Sequence, residues 1–235
     1  MLTDQSKYLE IVKQLKEKDV TLVAVSKTKP VEAIKELYDL GHRDFGENYV
    51  QELADKQQQL PQDIRWHFIG HLQSNKVKYI APFVHLVHGI DSFKLLKEVD
   101  KQAKKINRVI DVLLQVHIAQ EETKFGLDEN ELHELLITNS NPARLNRSGG
   151  ELHELKNIAI KGLMGMASFS DNKEKVRNEF KFLKSLFDKY AQVQTSNFKL
   201  QTLSMGMSGD YTIAIEEGSS MVRIGSLIFG ERQYN

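Results

Sequence analysis

Thr21-Leu-Val-Ala-Val-Ser-Lys-Thr-Lys-Pro30 is a short apolar run that ends at a lysine and leads directly into the start of a helix. Side chains alternate between the two faces of a strand, so Val23, Val25 and Lys27 are predicted to share one face. The Lys27 amine would then lie at the end of a buried strand, partly removed from water, where its lone pair can attack a carbonyl group. A solvated lysine in a strand-to-helix loop is the simpler interpretation of this residue, and the rest of the chain decides between the two.

Seven more apolar runs follow, and helical patterns separate them. The eight predicted strands are Thr21–Ser26, Arg43–Gly46, Arg65–Gly70, Val84–Ile90, Val109–Ile118, Ile158–Met164, Lys199–Met205 and Met221–Gly225. A further helix is predicted over residues 3–17, before the first strand. Alternating strands and helices favour parallel pairing, and eight such units close most naturally into a (β/α)8 TIM barrel. A doubly wound open sheet is the competing fold, but no Gly-x-Gly-x-x-Gly sequence follows any strand.

Local signals place several helix ends and one insertion. Thr28 is predicted to cap the helix after the first strand, with Pro30 in its first turn, and Ser92 to cap a later helix. Residues 128–137 are predicted to be helical and residues 138–150 to form a polar loop. Because the pentapeptide Glu-Leu-His-Glu-Leu occurs on both sides of this loop, we interpret the region as a helix interrupted or extended by an insertion.

The composition excludes several classes of partner. The chain has 235 residues, 32 Lys and Arg balanced by 32 Asp and Glu, and no cysteine. This balance provides no basic surface for nucleic acid or anionic lipid, and no apolar stretch reaches membrane-spanning length. Disulfides and thiolate metal sites are excluded. We expect one domain over residues 1–235, in a cytoplasmic monomer that binds neither nucleic acid nor membranes.

Two segments rich in glycine and serine indicate a phosphate site. Leu203-Ser-Met-Gly-Met-Ser-Gly-Asp210 ends the seventh strand and Val222-Arg-Ile-Gly-Ser226 ends the eighth, each before a short helix. Small residues let backbone N–H groups approach an anion, and these two loops commonly bind phosphate in barrels, although each segment alone is more often a plain helix cap. Together with a lysine after the first strand, they imply a ligand that carries an aldehyde and a phosphate. Pyridoxal 5′-phosphate (PLP) meets both requirements.

Other chemical classes have less support. No Gly-x-x-x-x-Gly-Lys-Ser/Thr loop is present, and Gly206-Met-Ser-Gly209 lacks the spacing of a Gly-x-Ser-x-Gly nucleophile elbow. The pairs His67 with His71, and His85 with His88, could suggest metal ligands. They occur in strands and loops without a matching carboxylate pattern, so no metal site is expected.

Longer motifs resemble the pyridoxal phosphate homeostasis protein family over almost the whole chain. The segments that carry the resemblance are Val23–Pro30, Phe45–Glu52, Trp66–Lys76, Gly162–Met164, Leu203–Ser208 and Val222–Arg232. The resemblance implies a fold-type III PLP-binding barrel like the N-terminal domain of alanine racemase. Residues 138–150 make the chain longer than the family pattern, without touching these motifs.

The same resemblance implies the site. Lys27 is expected to form a Schiff base with PLP, and Arg223 to face the pyridine ring. The phosphate is expected to be surrounded by Ser204, Ser208, Gly225 and Ser226, with Met207 close by. The remaining pocket is expected to be lined by Asn48, His71 and Asn75.

The implied function is to bind and buffer the cofactor and to deliver it to apo-enzymes, without catalytic turnover. An amino-acid racemase that uses PLP is the strongest alternative. Racemisation needs a second base, which a second domain supplies in alanine racemase, whereas this chain ends at Asn235 just after the eighth strand. Arg223 beside the ring nitrogen would also disfavour protonation of that nitrogen. The third class is an interaction protein without a cofactor, and the pairing of a lysine with a phosphate site argues against it.

Overall fold

The computed structural model describes residues 2–119, 125–138, 152–192 and 198–231. Its parallel strands form a closed barrel in the order of the sequence, which confirms the predicted (β/α)8 fold. The strands are β1 (Thr21–Val25), β2 (Asp44–Glu47), β3 (Arg65–Phe68), β4 (Leu86–Ile90), β5 (Ile110–Gln115), β6 (Ile158–Met164), β7 (Phe198–Met207) and β8 (Met221–Ile224). The pairing of β1 with β8 closes the barrel and sets Val23 opposite Arg223.

Helices follow the strands and cover the outside of the barrel. They are α1 (Gln5–Lys16), α2 (Val31–Asp39), α3 (Val50–Gln59), α4 (Val77–Ile80), α5 (Phe93–Lys105), α6 (Glu129–His133), α7 (Lys173–Ala191), α8 (Tyr211–Glu216) and α9 (Ser226–Phe229). The predicted extra helix before the first strand is α1, and it buries Tyr8, Ile11 and Leu15 against the barrel. Within the described ranges, no helix combines the length and the apolar character needed to cross a membrane.

The start of α2 corrects one prediction. Thr28 does not cap this helix; α2 begins at Val31, and Pro30 occupies the N-cap position. Thr28 instead has a φ of 64°, in the left-handed region, and its backbone N–H donates to Glu52 Oε1 at 2.6 Å. The chain therefore makes a tight turn between β1 and α2, and a side chain of α3 holds that turn.

Two other predicted helix starts are confirmed. The Ser92 hydroxyl accepts a hydrogen bond from the Leu95 backbone at the start of α5. Asp128 caps α6 in a capping box with Glu131, and the chain continues from α6 into a π-helical turn over Glu134–Thr138. Most of the predicted loop, residues 139–150, lies outside the described residues.

The ends of β7 and β8 approach each other through an irregular pairing. β7 extends to Met207, two residues beyond its predicted end, and its register against β8 shifts between Ser204 and Met207. Gly206 lies within this shift with a φ of 96°, a conformation that glycine adopts without a Cβ clash. The bulge sets Met207 opposite Arg223 at the C-terminal end of the barrel.

Candidate functional site

A cavity of about 540 Å³ lies at the C-terminal end of the strands, where barrels bind their ligands. Residues after β1, β2, β3, β6, β7 and β8 all contribute to it. Its lining consists of Val25, Lys27, Lys29, Asn48, Ile69, Met166, Ala167, Ser168, Phe169, Ser170, Asp171, Val176, Met207, Ser208, Gly209, Asp210, Arg223, Gly225, Ser226 and Gly230. Seven of the ten residues expected at the site therefore line one cavity, namely Lys27, Asn48, Met207, Ser208, Arg223, Gly225 and Ser226.

Lys27 lies two residues beyond the end of β1 and is half-buried in the wall of this cavity. Val25 and Ile69 line the same cavity and give the lysine the apolar surroundings that the sequence indicated. Lys29 also reaches the cavity, but its amine donates to the backbone carbonyls of Phe229, at 2.7 Å, and of two following residues. Lys29 is thereby tied to the chain after α9, and Lys27, which lies nearer the end of β1, remains the nucleophile that the sequence predicts.

The turn that carries Lys27 is held by four side chains, Ser26, Glu47, Glu52 and Lys56, here called the carboxylate clamp. The Lys56 ammonium donates to Glu47 Oε1 at 2.7 Å, to Glu52 Oε1 at 2.7 Å and to the Ser26 carbonyl at 2.8 Å. The Ser26 hydroxyl also donates to Glu47, at 2.6 Å. Because Glu52 additionally accepts the N–H of the residue after Lys27, the clamp fixes the backbone on both sides of the lysine.

Glu47 and Lys56 form an ion pair that is almost completely buried. Their side chains are 0% and 7% exposed, and Glu47 Oε2 is buried without a hydrogen-bond partner. Burial raises the pKa of Glu47 to about 7, even though the nearby Lys56 acts in the opposite direction. Sequence reasoning missed this clamp, although Glu47 and Glu52 both stand in a quoted motif and Lys56 follows one helical turn later.

The loops after β7 and β8 meet on another side of the cavity. The Ser208 hydroxyl accepts the backbone N–H of Gly225 at 3.2 Å, so the two loops are joined directly. Gly225 is packed closely on β1: a Cβ there would lie 3.2 Å from the Val25 carbonyl oxygen. Ser226 begins α9 beside this contact. The arrangement gathers small residues and helix starts from both loops, as a phosphate site requires.

Arg223 lies on β8 with its side chain buried, and it reaches the cavity from within the barrel. Its Nη1 donates to the Ser204 carbonyl at 2.9 Å and hydroxyl at 2.6 Å, and its Nη2 donates to the Gly165 carbonyl at 3.1 Å. Burial lowers the pKa of Arg223 to about 10. Ser204 is fully buried and supports Arg223; it is absent from the lining of the cavity itself.

Asn48 supplies a polar atom that is suited to a ligand. It follows β2 and lines the cavity, and its Oδ1 is buried with no hydrogen-bond partner. A buried amide oxygen without a partner is costly, and a bound molecule that donates a hydrogen bond would remove that cost.

His71 and Asn75 line a second cavity, of about 460 Å³, rather than the first. His71 Nδ1 lies 3.2 Å from Asp91 Oδ2, and its ring stacks on Phe125 with a centroid distance of 4.3 Å. The structure therefore separates these two expected site residues from the other pocket-lining ones. Among the described residues, no group of three His, Asp or Glu side chains is arranged to hold a metal ion.

Comparison with known proteins identifies the family. A family model described as alanine racemase, N-terminal domain, matches residues 5–233. The pyridoxal phosphate homeostasis protein of Aquifex aeolicus is 43% identical over 214 residues, which cover 91% of this chain and 87% of that protein. The chain belongs to the pyridoxal phosphate homeostasis family. The resemblance inferred from the motifs is thus confirmed.

Solved structures of a family member agree with this assignment. PipY of Synechococcus elongatus, solved without PLP, has a TM-score of 0.84 and 33% identity, and the match covers 96% of this chain and 99% of that one. The structure of PipY with PLP bound has a TM-score of 0.79 and 32% identity, and the match covers 94% and 99%. PipY therefore shares the barrel along nearly its full length.

Proposed function

We propose that this chain binds PLP in the cavity at the C-terminal end of the barrel and acts in PLP homeostasis. The observation that carries the proposal is that one cavity joins Lys27, the two small-residue loops after β7 and β8, and Arg223. When bound, PLP supplies an aldehyde that condenses reversibly with amines. A volume of about 540 Å³ is within the range of small-molecule sites. The PLP-bound structure of PipY supports the same assignment.

Six residues of the cavity wall would bind different parts of this ligand. Lys27 provides the amine, on a backbone that the carboxylate clamp keeps in place. Ser208, Gly225 and Ser226 provide small side chains and backbone N–H groups for the phosphate. Arg223 presents a fixed cation to the ring, and the unpartnered Oδ1 of Asn48 accepts a hydrogen bond from the ligand.

Holding the cofactor, without turnover, is the role that the cavity supports best. Racemisation needs a base on each face of the substrate, and Lys27 could serve as only one of them. Among the described residues of the cavity lining there is no tyrosine or histidine to act as the other. Of the other ionisable residues in the lining, Lys29 donates to backbone carbonyls, Asp210 accepts the N–H of Met207, and Asp171 is exposed at the edge of the cavity. We therefore propose a non-catalytic protein that buffers PLP and delivers it to apo-enzymes.

The test separates binding, turnover and delivery. The purified protein is titrated with PLP, incubated with alanine and with serine, and assayed for change of chirality and for keto-acid formation. The same preparation is mixed with a PLP-free aminotransferase, and recovery of aminotransferase activity is followed. Binding and reactivation without turnover would support the proposal. Turnover that Lys27→Ala abolishes would establish an enzyme, and absence of PLP binding would refute the proposal entirely.

A further inference from the structure

A continuous series of buried hydrogen bonds crosses the interior of the barrel and ends at Arg223. His67 Nε2 lies 3.0 Å from Asp44 Oδ1, and His67 Nδ1 lies 2.9 Å from His88 Nε2. His88 Nδ1 lies 3.2 Å from the Ser204 hydroxyl, which accepts Arg223 Nη1 at 2.6 Å. All five residues are at most 9% exposed. We call this series the interior chain.

The interior chain has only one arrangement of protons that keeps both histidines neutral. The Asp44 carboxylate can only accept, so His67 must donate to it through Nε2 and accept through Nδ1. His88 must then donate through Nε2 and accept through Nδ1. The Ser204 hydroxyl proton consequently points to His88. A lone pair of Ser204 is thereby left facing the Arg223 guanidinium.

The surroundings favour an ionised Asp44 and a neutral His88. Although burial acts against it, hydrogen bonds from Arg65 and His67 hold the pKa of Asp44 well below its usual range. Burial lowers the pKa of His88 strongly, and the positive charge of Arg223 acts in the same direction. Two further titratable groups are packed against the chain: the exposed His85, with its ring centroid 5.4 Å from that of His67, and the buried His42, whose Nε2 lies 2.8 Å from the Asp44 carbonyl oxygen. If His88 were protonated, it would be a second cation beside Arg223 inside the barrel, and its charge would be uncompensated.

We infer that His67 and His88 are positioning residues for the cofactor site, acting through Ser204 on Arg223. The inference rests on the proposed function, since it assigns Arg223 to the PLP ring. The directed hydrogen bonds orient the Ser204 hydroxyl, and the oriented hydroxyl fixes Nη1 of the guanidinium where the cavity begins. The motif Trp66–Lys76 thus contributes His67 to the site without any contact with the ligand.

The first test reads the tautomers directly. Protein labelled with ¹⁵N in its histidines is studied by NMR near neutral pH without PLP, and His67 and His88 are assigned by substitution. From the direction of the hydrogen bonds, we expect each ring to carry its proton on Nε2 and to accept at Nδ1. A proton on Nδ1 of either ring, or an imidazolium, would overturn the interior chain. This measurement needs no bound cofactor, so it gives its answer even if the proposed function fails.

The second test measures the effect on PLP. His88→Leu should weaken PLP binding about tenfold, on the order of one lost buried hydrogen bond, and should shift the visible absorption maximum of the bound cofactor. His88→Gln, whose amide can both accept and donate, should restore the wild-type maximum. The control His85→Leu removes a neighbouring ring outside the chain and should change neither quantity. An unchanged maximum and affinity in a folded His88→Leu protein would refute the inference, whereas failure of the wild type to bind PLP would refute the proposed function.

Discussion

Replacing Lys56 by methionine tests how the turn that carries Lys27 is stabilised. The Lys56 ammonium donates to three acceptors, two of them carboxylate oxygens, and the Glu47 oxygen among these is fully buried. Lys56→Met keeps most of the side-chain volume but leaves Glu47 without its counter-charge, and Glu47 Oε2 already has no partner. Removing one member of a buried ion pair costs about 3–5 kcal/mol when the other member stays charged.

The loss of stability in Lys56→Met should depend on pH, and the direction of this dependence follows from the raised pKa of Glu47. The pKa of this carboxyl is raised from its ordinary value of 4.5 to about 7 in the folded protein. Its contribution to stability is therefore complete below about pH 4.5 and is lost as the pH rises through about 7. Without Lys56 the pKa of Glu47 rises further. We expect Lys56→Met to cost about 1–2 kcal/mol at about pH 5, where mainly hydrogen bonds are lost, and about 3–5 kcal/mol at about pH 8.

The assay is equilibrium urea denaturation of wild type and variant at both pH values. The matched control is Lys184→Met, which removes an exposed pair with Asp188 one helical turn away. That change should cost less than about 1 kcal/mol and should be insensitive to pH over this range. An equal loss of stability at the two pH values for Lys56→Met would refute the account of Glu47 as a carboxylate compensated by Lys56.

Further predictions concern the phosphate loops and the barrel wall. Ser208→Glu or Gly225→Glu should weaken PLP binding at least tenfold, on the order of the loss of one charged contact. The reason is that a bulky acid blocks the backbone donors and repels the phosphate dianion. Unchanged affinity of both variants in a spectroscopic titration would rule out this phosphate site. Gly162→Ala should destabilise the fold by about 2–4 kcal/mol, since the added Cβ would lie 1.7 Å from the Thr202 carbonyl oxygen. A melting temperature equal to that of the wild type would contradict this packing.

The strands and the position of Lys27 at the C-terminal end of the barrel could be predicted because both are local patterns. Each apolar run is long enough for one strand, and the position of Lys27 after its run places the amine at the end of the barrel. The meeting of the last two loops at one cavity could be predicted for the same reason, since each loop directly follows its strand.

What the sequence could not give depends on contacts between distant segments. The clamp joins residues from β2 and α3 around the turn after β1, and each of its charged groups looked like an ordinary surface charge. Thr28 has the residue type of a helix cap, so the local sequence predicts one. Its left-handed conformation is held by Glu52, which accepts its N–H and lies 24 residues away. In the sequence, His67 and His88 stand out only as candidate metal ligands, whereas their strands bring them together as hydrogen-bond partners.

The most direct test of the account is to find which residue holds the cofactor. The protein is incubated with PLP, the lysine-bound cofactor is reduced with borohydride, and peptides are mapped by mass spectrometry. We expect the pyridoxyl group on Lys27. Lys27→Ala should lose both the modified peptide and the visible absorption band, and Lys29→Ala should keep them. Modification of Lys29 or of scattered surface lysines, with Lys27 unmodified, would contradict this expectation.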